Sequence, residues 1–215
     1  MALLTGSNRK NIAVFISGTG SNLKSLIKFS KLKKSPIIIK LIISNNSKAK
    51  GLKYANIYKI KKKIFDFKNS LSEKKVINEL KNNDIHLICL AGFMKILSKS
   101  FINNFKGKIL NIHPSLLPKY KGLNTHERAI RNKDKYSGCS VHFVNSRLDS
   151  GKIISQKKVR INKFDTPKTL AKKILTIEHK LYPTAIIKAL SLKKRNLFQF
   201  LHFQHCQIRV QSFYQ

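Results

Sequence analysis

Short apolar runs alternate with helix-patterned segments along most of this chain. The strand-length runs cover residues 11–17, 37–43, 85–92 and 107–113, and a weaker one covers 57–65. The segments between them carry apolar residues at the three- and four-residue spacing of an amphipathic helix. Strands and helices that alternate in this way build a parallel sheet covered by helices. The sequence therefore predicts an α/β fold with a single doubly wound, mostly parallel sheet.

The last third of the chain departs from this alternation. Residues 138–145 and 152–161 are two runs of alternating apolar and polar residues with no helical segment between them. They predict a closing pair of strands, and so an antiparallel edge on the sheet. The final helix is predicted to begin near Thr166-Pro167, and Pro183 is expected to kink it or split it in two.

The domain organisation follows from where the pattern stops. A chain of 215 residues suits one α/β domain or two small ones, and residues 1–190 hold all of the predicted strands and helices. Residues 191–215 are polar and aromatic and show no clear period. We predict one domain over residues 1–190 and a C-terminal tail of uncertain order over 191–215.

The charge of the chain is extreme, with a formal net charge of +35 at pH 7. Such a charge is typical of proteins that bind nucleic acids. However, the lysines are spread over almost every predicted element, and Lys, Asn, Ile and Phe share A/T-rich codons. Compositional bias explains this set better, so we expect no specific nucleic-acid partner. A basic RNA-binding α/β module without catalysis is kept as an alternative.

Other features limit the location and the metal chemistry. No apolar run reaches the length of a membrane span, and the N-terminal residues lack the pattern of a secretory signal. The three cysteines are widely spaced, which fits neither a disulfide framework nor a zinc site. We therefore predict a cytoplasmic protein that contacts no membrane and binds no metal.

The stretch "SGTGSN", residues 17–22, joins the first predicted strand to the first helix. Backbone N–H groups at a glycine turn and the dipole of the following helix attract anions. The stretch lacks the third glycine of a dinucleotide fingerprint and the Gly-Lys-Ser/Thr ending of a Walker loop. It is therefore either a purely structural turn or a site for a single phosphate group.

Asn111 and His113 stand at the end of the strand "KILNIH". Residues two apart on a strand share a face, and open α/β sheets bind ligands at the carboxyl ends of their strands. Pro114 and Pro118 stiffen the turn that follows and so fix both side chains. An amide donor beside an imidazole can stabilise an oxyanion and move a proton. An incidental histidine at a strand end is the alternative.

Asp149 lies in the predicted turn between the two closing strands, in a chain with only nine acidic residues. A local turn formed by its side chain is one interpretation. The other is a carboxylate that orients His113 and favours its charged form.

Six motifs taken in order resemble the phosphoribosylglycinamide formyltransferases, a branch of the folate-dependent formyltransferase superfamily. They are "ISGTGSNL", "LAGFMKILS", "LNIHPSLLPKYKGLNTH", "SVHFV", "LDSG" and "EHKLYP". The resemblance covers roughly residues 11 to 190 and makes 1–190 a formyltransferase domain. It also implies a Rossmann-like formyltransferase fold.

The resemblance implies a role for each matching residue. The catalytic residues would be Asn111, His113 and Asp149. The phosphate and ribose of the ribonucleotide would be bound by Gly20, Ser21, Asn22 and Glu178. The folate would be bound by Met94, Lys95, Ile96, Leu97, Asn111 and Val141. Lys95 stands where an arginine is common, and Asn69 falls near the position of another folate-contacting arginine, so both contacts differ here.

The activity implied by the resemblance is formyl transfer in purine synthesis. The formyl group would pass from the co-substrate 10-formyltetrahydrofolate to the amine of glycinamide ribonucleotide, in a monomer or a homodimer. A methionyl-tRNA formyltransferase-like enzyme is the nearest alternative. Such enzymes carry a further C-terminal barrel domain, for which the residues after 190 leave no room.

Overall fold

The computed structural model describes residues 9–211, and describes side chains for residues 9–191. Its strands are β1 Lys10–Ile16, β2 Ile37–Ser44, β3 Lys61–Ile64, β4 Leu87–Leu90, β5 Lys108–His113, β6 Tyr136–Phe143 and β7 Ile153–Arg160. Its α-helices are α1 Ser21–Ser30, α2 Lys53–Ile57, α3 Ser70–Asn82, α4 Lys99–Asn104, α5 Thr125–Arg131 and α6 Pro167–Gln211.

The strands form one seven-stranded sheet in the order β3-β2-β1-β4-β5-β6-β7. Neighbours from β3 to β5 are parallel, whereas β6 pairs antiparallel with β5 and β7 pairs antiparallel with β6. This arrangement confirms the predicted doubly wound sheet with an antiparallel edge. The strand order reverses between β1 and β4, and ligands of such sheets bind beyond the carboxyl ends of the strands at that point.

The core lies on both faces of the sheet, because side chains along a central strand alternate between the faces. On β1, Ile12 and Val14 pack into one cluster, which includes Leu23 of α1. Ala13 and Phe15 pack into a second cluster with residues of α3 and α4. Fully burying one large aliphatic side chain contributes about 1.5–3 kcal/mol, so these clusters hold the central strands in place.

Helix α6 runs unbroken through Pro183, so of the two expected outcomes, a kink or a split, the split does not occur. Proline cannot donate to the carbonyl four residues earlier. That carbonyl belongs to His179, and the Ser25 hydroxyl of α1 donates to it at 2.9 Å instead. The Tyr182 hydroxyl, which is fully buried, lies 3.0 Å from the Leu90 carbonyl of β4. These contacts join α6 to the sheet and to α1 at the site-bearing edge.

Two predicted boundaries differ from the structure, at the weak third strand and near the C-terminus. The strand predicted over 57–65 is confined to Lys61–Ile64, and residue 57 ends helix α2. Helix α6 continues past the boundary predicted at residue 190, and residues 212–215 of the predicted tail lie outside the described residues. In the part of the chain that the structure describes, no helix combines the length and the apolar character needed to cross a bilayer.

Candidate active site

A cavity of about 1280 Å³ opens beyond the carboxyl ends of β1, β4 and β5. Its walls come from the turn after β1, the segment after β4, the loop after β5, the start of α5, the turn before β7 and the first turns of α6. It therefore lies at the point where the strand order reverses. Of the predicted site residues, it is lined by Gly20, Ser21, Asn22, Met94, Lys95, Ile96, Leu97, Asn111, His113, Asp149 and Glu178.

The turn after β1 leaves the N-terminus of α1 open to the cavity. Gly20, which caps the helix, has φ of 73°, and no side chain in the described part of the protein caps α1. A Cβ at Gly20 would lie 2.6 Å from the Cα of Gly51, so both the conformation and the space require glycine. The first turn of α1 contains no acidic residue. The first N–H groups of the helix are thus available to an anion.

Glu178 of α6 reaches the same end of the cavity. Its Oε2 accepts a hydrogen bond of 2.7 Å from Nδ2 of Asn22, and both residues are buried. Burial raises the pKa of the Glu178 carboxyl above its ordinary value, although the bond from Asn22 opposes the rise. The Oδ1 atom of Asn22 is buried and has no hydrogen-bond partner among the described residues. The pair therefore presents oxygen acceptors to a ligand that carries hydroxyl or amine donors.

Asn111, His113 and Asp149 meet at the other side of the same cavity. The Asp149 carboxylate lies 3.4 Å from Nδ1 of His113 and accepts a 3.4 Å hydrogen bond from Nδ2 of Asn111. Nδ2 of Asn111 also lies 3.2 Å from Nε2 of His142. The strand alternation that places Asn111 and His113 on one face thus brings both to Asp149.

Asp149 is held as a carboxylate by the groups around it. It is 9% exposed, has φ of 45°, and its Oδ2 accepts a 2.9 Å hydrogen bond from the Gly122 N–H. Burial alone would raise the pKa of Asp149, but His142, the Gly122 N–H and His113 bring it below its ordinary value. Its negative charge is therefore available to the two histidines.

The predicted effect of Asp149 on the pKa of His113 is present in the free protein, but it is not the largest effect. Burial lowers the pKa of His113 below its ordinary value and outweighs both the Tyr120 carbonyl and the Asp149 charge. Nε2 of His113 lies 2.8 Å from the Tyr120 carbonyl, which can only accept, so Nε2 carries the proton of the neutral ring. Nδ1 is then free to gain a proton beside Asp149.

The loop after β5 is anchored by side chains of the antiparallel edge of the sheet. The Ser140 hydroxyl of β6 donates to the Ser115 carbonyl at 2.6 Å and accepts from the Leu117 N–H at 3.0 Å. Nε2 of Gln156 on β7 donates to the Leu117 carbonyl at 2.8 Å. The antiparallel edge of the sheet thus fixes the loop that carries His113. Polar side chains at alternate positions of β6, Ser140 and His142, are the sequence signal that could have indicated a contact between β6 and this loop.

The predicted folate segment follows β4 and is largely open to the cavity. Met94 and Ile96 are 65% and 76% exposed, whereas Leu97 is buried. The Met94 N–H donates to the Ser17 hydroxyl at 2.7 Å, which ties the segment to the end of β1. Exposed apolar side chains at a cavity wall suit a flat aromatic ligand.

Two predicted folate-side residues have other roles in the structure. Val141 is fully buried in the core, so its side chain does not line the cavity. Its neighbour His142 lines the cavity instead, because successive side chains of β6 point to opposite faces. Oδ1 of Asn69 accepts from the Ser72 N–H at 2.9 Å and caps α3. Among the described side chains, no cluster of His, Cys, Asp and Glu could hold a metal ion.

Residues 10–186 match the family model described as formyl transferase. The chain is 43% identical over 181 residues to phosphoribosylglycinamide formyltransferase of Haemophilus influenzae. The aligned residues cover 82% of this chain and 85% of the relative. It is 41% identical to the trifunctional purine biosynthetic protein adenosine-3 of Gallus gallus, over 84% of this chain. The chain spans only 18% of the length of that larger relative.

Solved structures give the same result. The fold is similar to the crystal structure of phosphoribosylglycinamide formyltransferase from Anaplasma phagocytophilum, with a TM-score of 0.78 and 41% sequence identity. The match covers 82% of this chain and 84% of the solved chain.

Proposed function

The chain belongs to the formyl transferase family, and from that premise we propose that it transfers a formyl group from 10-formyltetrahydrofolate to the amine of glycinamide ribonucleotide. One observation carries the proposal. A single cavity joins the open N-terminus of α1 to the group of Asn111, His113 and Asp149. It therefore suits a ligand with a phosphate at one end and a reacting amine at the other.

Asn111 is the donor that the cavity offers to the formyl oxygen. Its side chain is half-buried. Its Nδ2 lies 3.2 Å from Nε2 of His142 and 3.4 Å from Oδ1 of Asp149, and the second distance is long for a hydrogen bond. When the amine attacks the formyl carbon, negative charge develops on the formyl oxygen. A pre-positioned amide N–H that stabilises such an oxyanion contributes about 3–4 kcal/mol.

His113 handles the proton in this proposal. The attacking amine forms a bond to the formyl carbon, the bond from that carbon to the folate nitrogen breaks, and one amine proton must reach the folate nitrogen. A neutral His113 can accept that proton and, once charged, is stabilised by Asp149 at 3.4 Å. His113 lines the cavity, and Nδ1 is the nitrogen that accepts the proton, since Nε2 already carries one toward the Tyr120 carbonyl.

The two ends of the cavity divide the substrates between them. Gly20, Ser21, Asn22 and Glu178 would bind the phosphate and ribose, whereas the exposed apolar side chains of Met94 and Ile96 would pack on the folate. We also propose a cytoplasmic monomer or homodimer that uses small-molecule substrates, needs no metal and has no specific nucleic-acid partner.

Turnover by purified protein tests the proposal. Production of tetrahydrofolate is followed by absorbance, with 10-formyltetrahydrofolate as donor and either glycinamide ribonucleotide or methionyl-tRNA as acceptor. We expect turnover with the ribonucleotide alone, and a loss of about 100-fold or more in kcat for Asn111→Ala. Asn104→Ala is the matched control, because Asn104 is exposed on α4, does not line the cavity, and donates a hydrogen bond to Ser100.

The other outcomes decide against the proposal. Turnover with methionyl-tRNA alone would make the protein a tRNA formyltransferase and would give the basic surface a function. Folded protein without turnover on either acceptor would leave a binding role. Near-full turnover of Asn111→Ala would remove this residue from the reaction.

A further inference from the structure

We propose that the side chain of Tyr120, anchored on Asp134, determines which nitrogen of His113 carries the ring proton. This inference rests on the proposed function, because it assigns a positioning role in proton transfer to residues outside the cavity. Neither Tyr120 nor Asp134 lines the cavity, so neither touches a substrate there. They act through the Tyr120 carbonyl, which lies 2.8 Å from Nε2 of His113.

Both ring nitrogens of His113 face an acceptor, although a neutral imidazole carries only one N–H. Nε2 lies 2.8 Å from the Tyr120 carbonyl, and Nδ1 lies 3.4 Å from Oδ2 of Asp149. The shorter contact keeps the proton on Nε2 and leaves Nδ1 free to accept the amine proton. If the carbonyl moved away, the ring proton would pass to Nδ1, where Asp149 would hold it. The position of the carbonyl therefore decides whether His113 can act as the base.

This carbonyl belongs to a residue whose backbone needs support. Tyr120 has φ of 55°, and the left-handed region is unfavourable for a bulky residue unless its surroundings hold it there. Side chains fix the carbonyls on either side. The Ser115 hydroxyl donates to the Lys119 carbonyl at 2.6 Å, and Nη1 of Arg128 donates to the carbonyl of residue 121 at 2.7 Å. The Tyr120 side chain supplies the support for the residue between them.

The contacts of the Tyr120 side chain lie on the side of the loop away from the cavity. Its hydroxyl donates to Oδ2 of Asp134 at 2.8 Å and accepts from Nδ2 of Asn132 at 2.9 Å. The Arg128 guanidinium lies 4.9 Å from the centre of its ring. The Asp134 side chain is 12% exposed and pairs with Lys119 at 2.7 Å, so the anchor is itself held. A hydrogen bond to a charged group is stronger than one between neutral groups, which makes Asp134 the main anchor.

The test removes only the Tyr120 hydroxyl, because phenylalanine keeps the ring beside Arg128. NMR of the histidine ring nitrogens in full-length, isotope-labelled protein reports the tautomer at about pH 8, where an ordinary imidazole is neutral. Spectra of His113→Gln identify the signals of His113. We expect the native ring to carry its proton on Nε2 and the ring of Tyr120→Phe to carry it largely on Nδ1. The kcat should fall about tenfold, which is about 1.4 kcal/mol, and both KM values should stay within about twofold.

Two variants of Asp134 separate positioning from general stability. Both Asp134→Ala and Asp134→Asn lose the ion pair with Lys119, but only asparagine keeps an oxygen that accepts from the Tyr120 hydroxyl. Asp134→Ala should therefore behave as Tyr120→Phe does, and Asp134→Asn should keep most of the native tautomer and kcat. Tyr136→Phe is the matched control, because Tyr136 does not line the cavity and also has a cation, Lys158, 4.9 Å from its ring centre.

An unchanged tautomer in the folded Tyr120→Phe variant would overturn the inference, as would an equal effect in the control. A native ring protonated on Nδ1 would overturn it too. If Tyr120→Phe fails to fold, the comparison of the two Asp134 variants decides in the same way. The NMR measurement does not depend on turnover. If Tyr120→Phe moves the proton but the native protein transfers no formyl group, the tautomer assignment stands and the proposed function fails.

Discussion

Replacing the Asp149 carboxylate by an amide is the sharpest perturbation that the site allows. In Asp149→Asn, the Oδ1 atom can still accept from the Gly122 N–H, which lies 2.9 Å from the native carboxylate. Asparagine also tolerates the left-handed backbone of this position, where φ is 45°. The substitution therefore removes one negative charge and keeps most of the local structure.

The size of the effect follows from the distance to His113. At 3.4 Å and an effective dielectric constant of about 20, two unit charges attract by about 5 kcal/mol. The amide dipole and entering water recover about half of this attraction, which leaves a loss of about 2.5 kcal/mol. If a charged His113 forms in the transition state, kcat falls by about 70-fold. The KM values stay within a few-fold, because neither substrate is bound by this charge.

The absorbance assay for tetrahydrofolate measures kcat directly, and the unfolding midpoint is recorded for each variant. Asp165→Asn is the matched control, since that carboxylate pairs with Lys173 outside the cavity. A folded Asp149→Asn enzyme whose kcat stays within threefold of the native value would show that no charge develops on His113. The proton path proposed above would then be refuted.

Three further predictions test other parts of the molecule. Burial holds the pKa of His113 below its unfolded value, so the unfolded chain binds the extra proton as pH falls below about 6.5 and stability decreases. His113→Gln should reduce this loss of unfolding free energy between pH 7 and 5 in urea titrations, and part of the loss should remain because burial also lowers the pKa values of His126 and His179. Tyr182→Phe removes the hydroxyl that lies 3.0 Å from the Leu90 carbonyl and 3.1 Å from the Leu110 carbonyl, and should lower the free energy of unfolding by about 1–2 kcal/mol. Glu178→Gln should raise the KM for the ribonucleotide about tenfold, because an amide oxygen is a weaker hydrogen-bond acceptor for the sugar hydroxyl groups than a carboxylate. The KM for the folate should stay unchanged. Equal rises in both KM values would contradict the assignment of Glu178 to the ribonucleotide.

The sequence by itself determined the fold class and the positions of the chemistry. Strand and helix periods are local properties, so the succession of strands and helices along the chain could be predicted from the residues. The glycine turn at 17–22 and the paired prolines after His113 are local too, because they act through allowed backbone angles. The resemblance of the six motifs to a known family added the expected roles of the site residues, which the local sequence pattern alone left open.

The tertiary structure decided which of these residues meet. Asn22 and Glu178 bond at 2.7 Å although 156 positions separate them. His142 faces Asn111 because the antiparallel register pairs the two residues, and that register also sends Val141 into the core. No spacing in the chain contains this information, since it depends on how β5 and β6 align.

The tertiary structure also decided the protonation state of His113 and the continuity of α6. Asp149 near His113 predicts a charged ring, but the burial that accompanies folding lowers the pKa of that ring. Pro183 predicts a kink or a break, and the helix does not break, because Ser25 of another helix supplies the missing hydrogen bond to the carbonyl of His179. In both cases a local preference is outweighed by solvent exclusion or by a partner that only folding brings near.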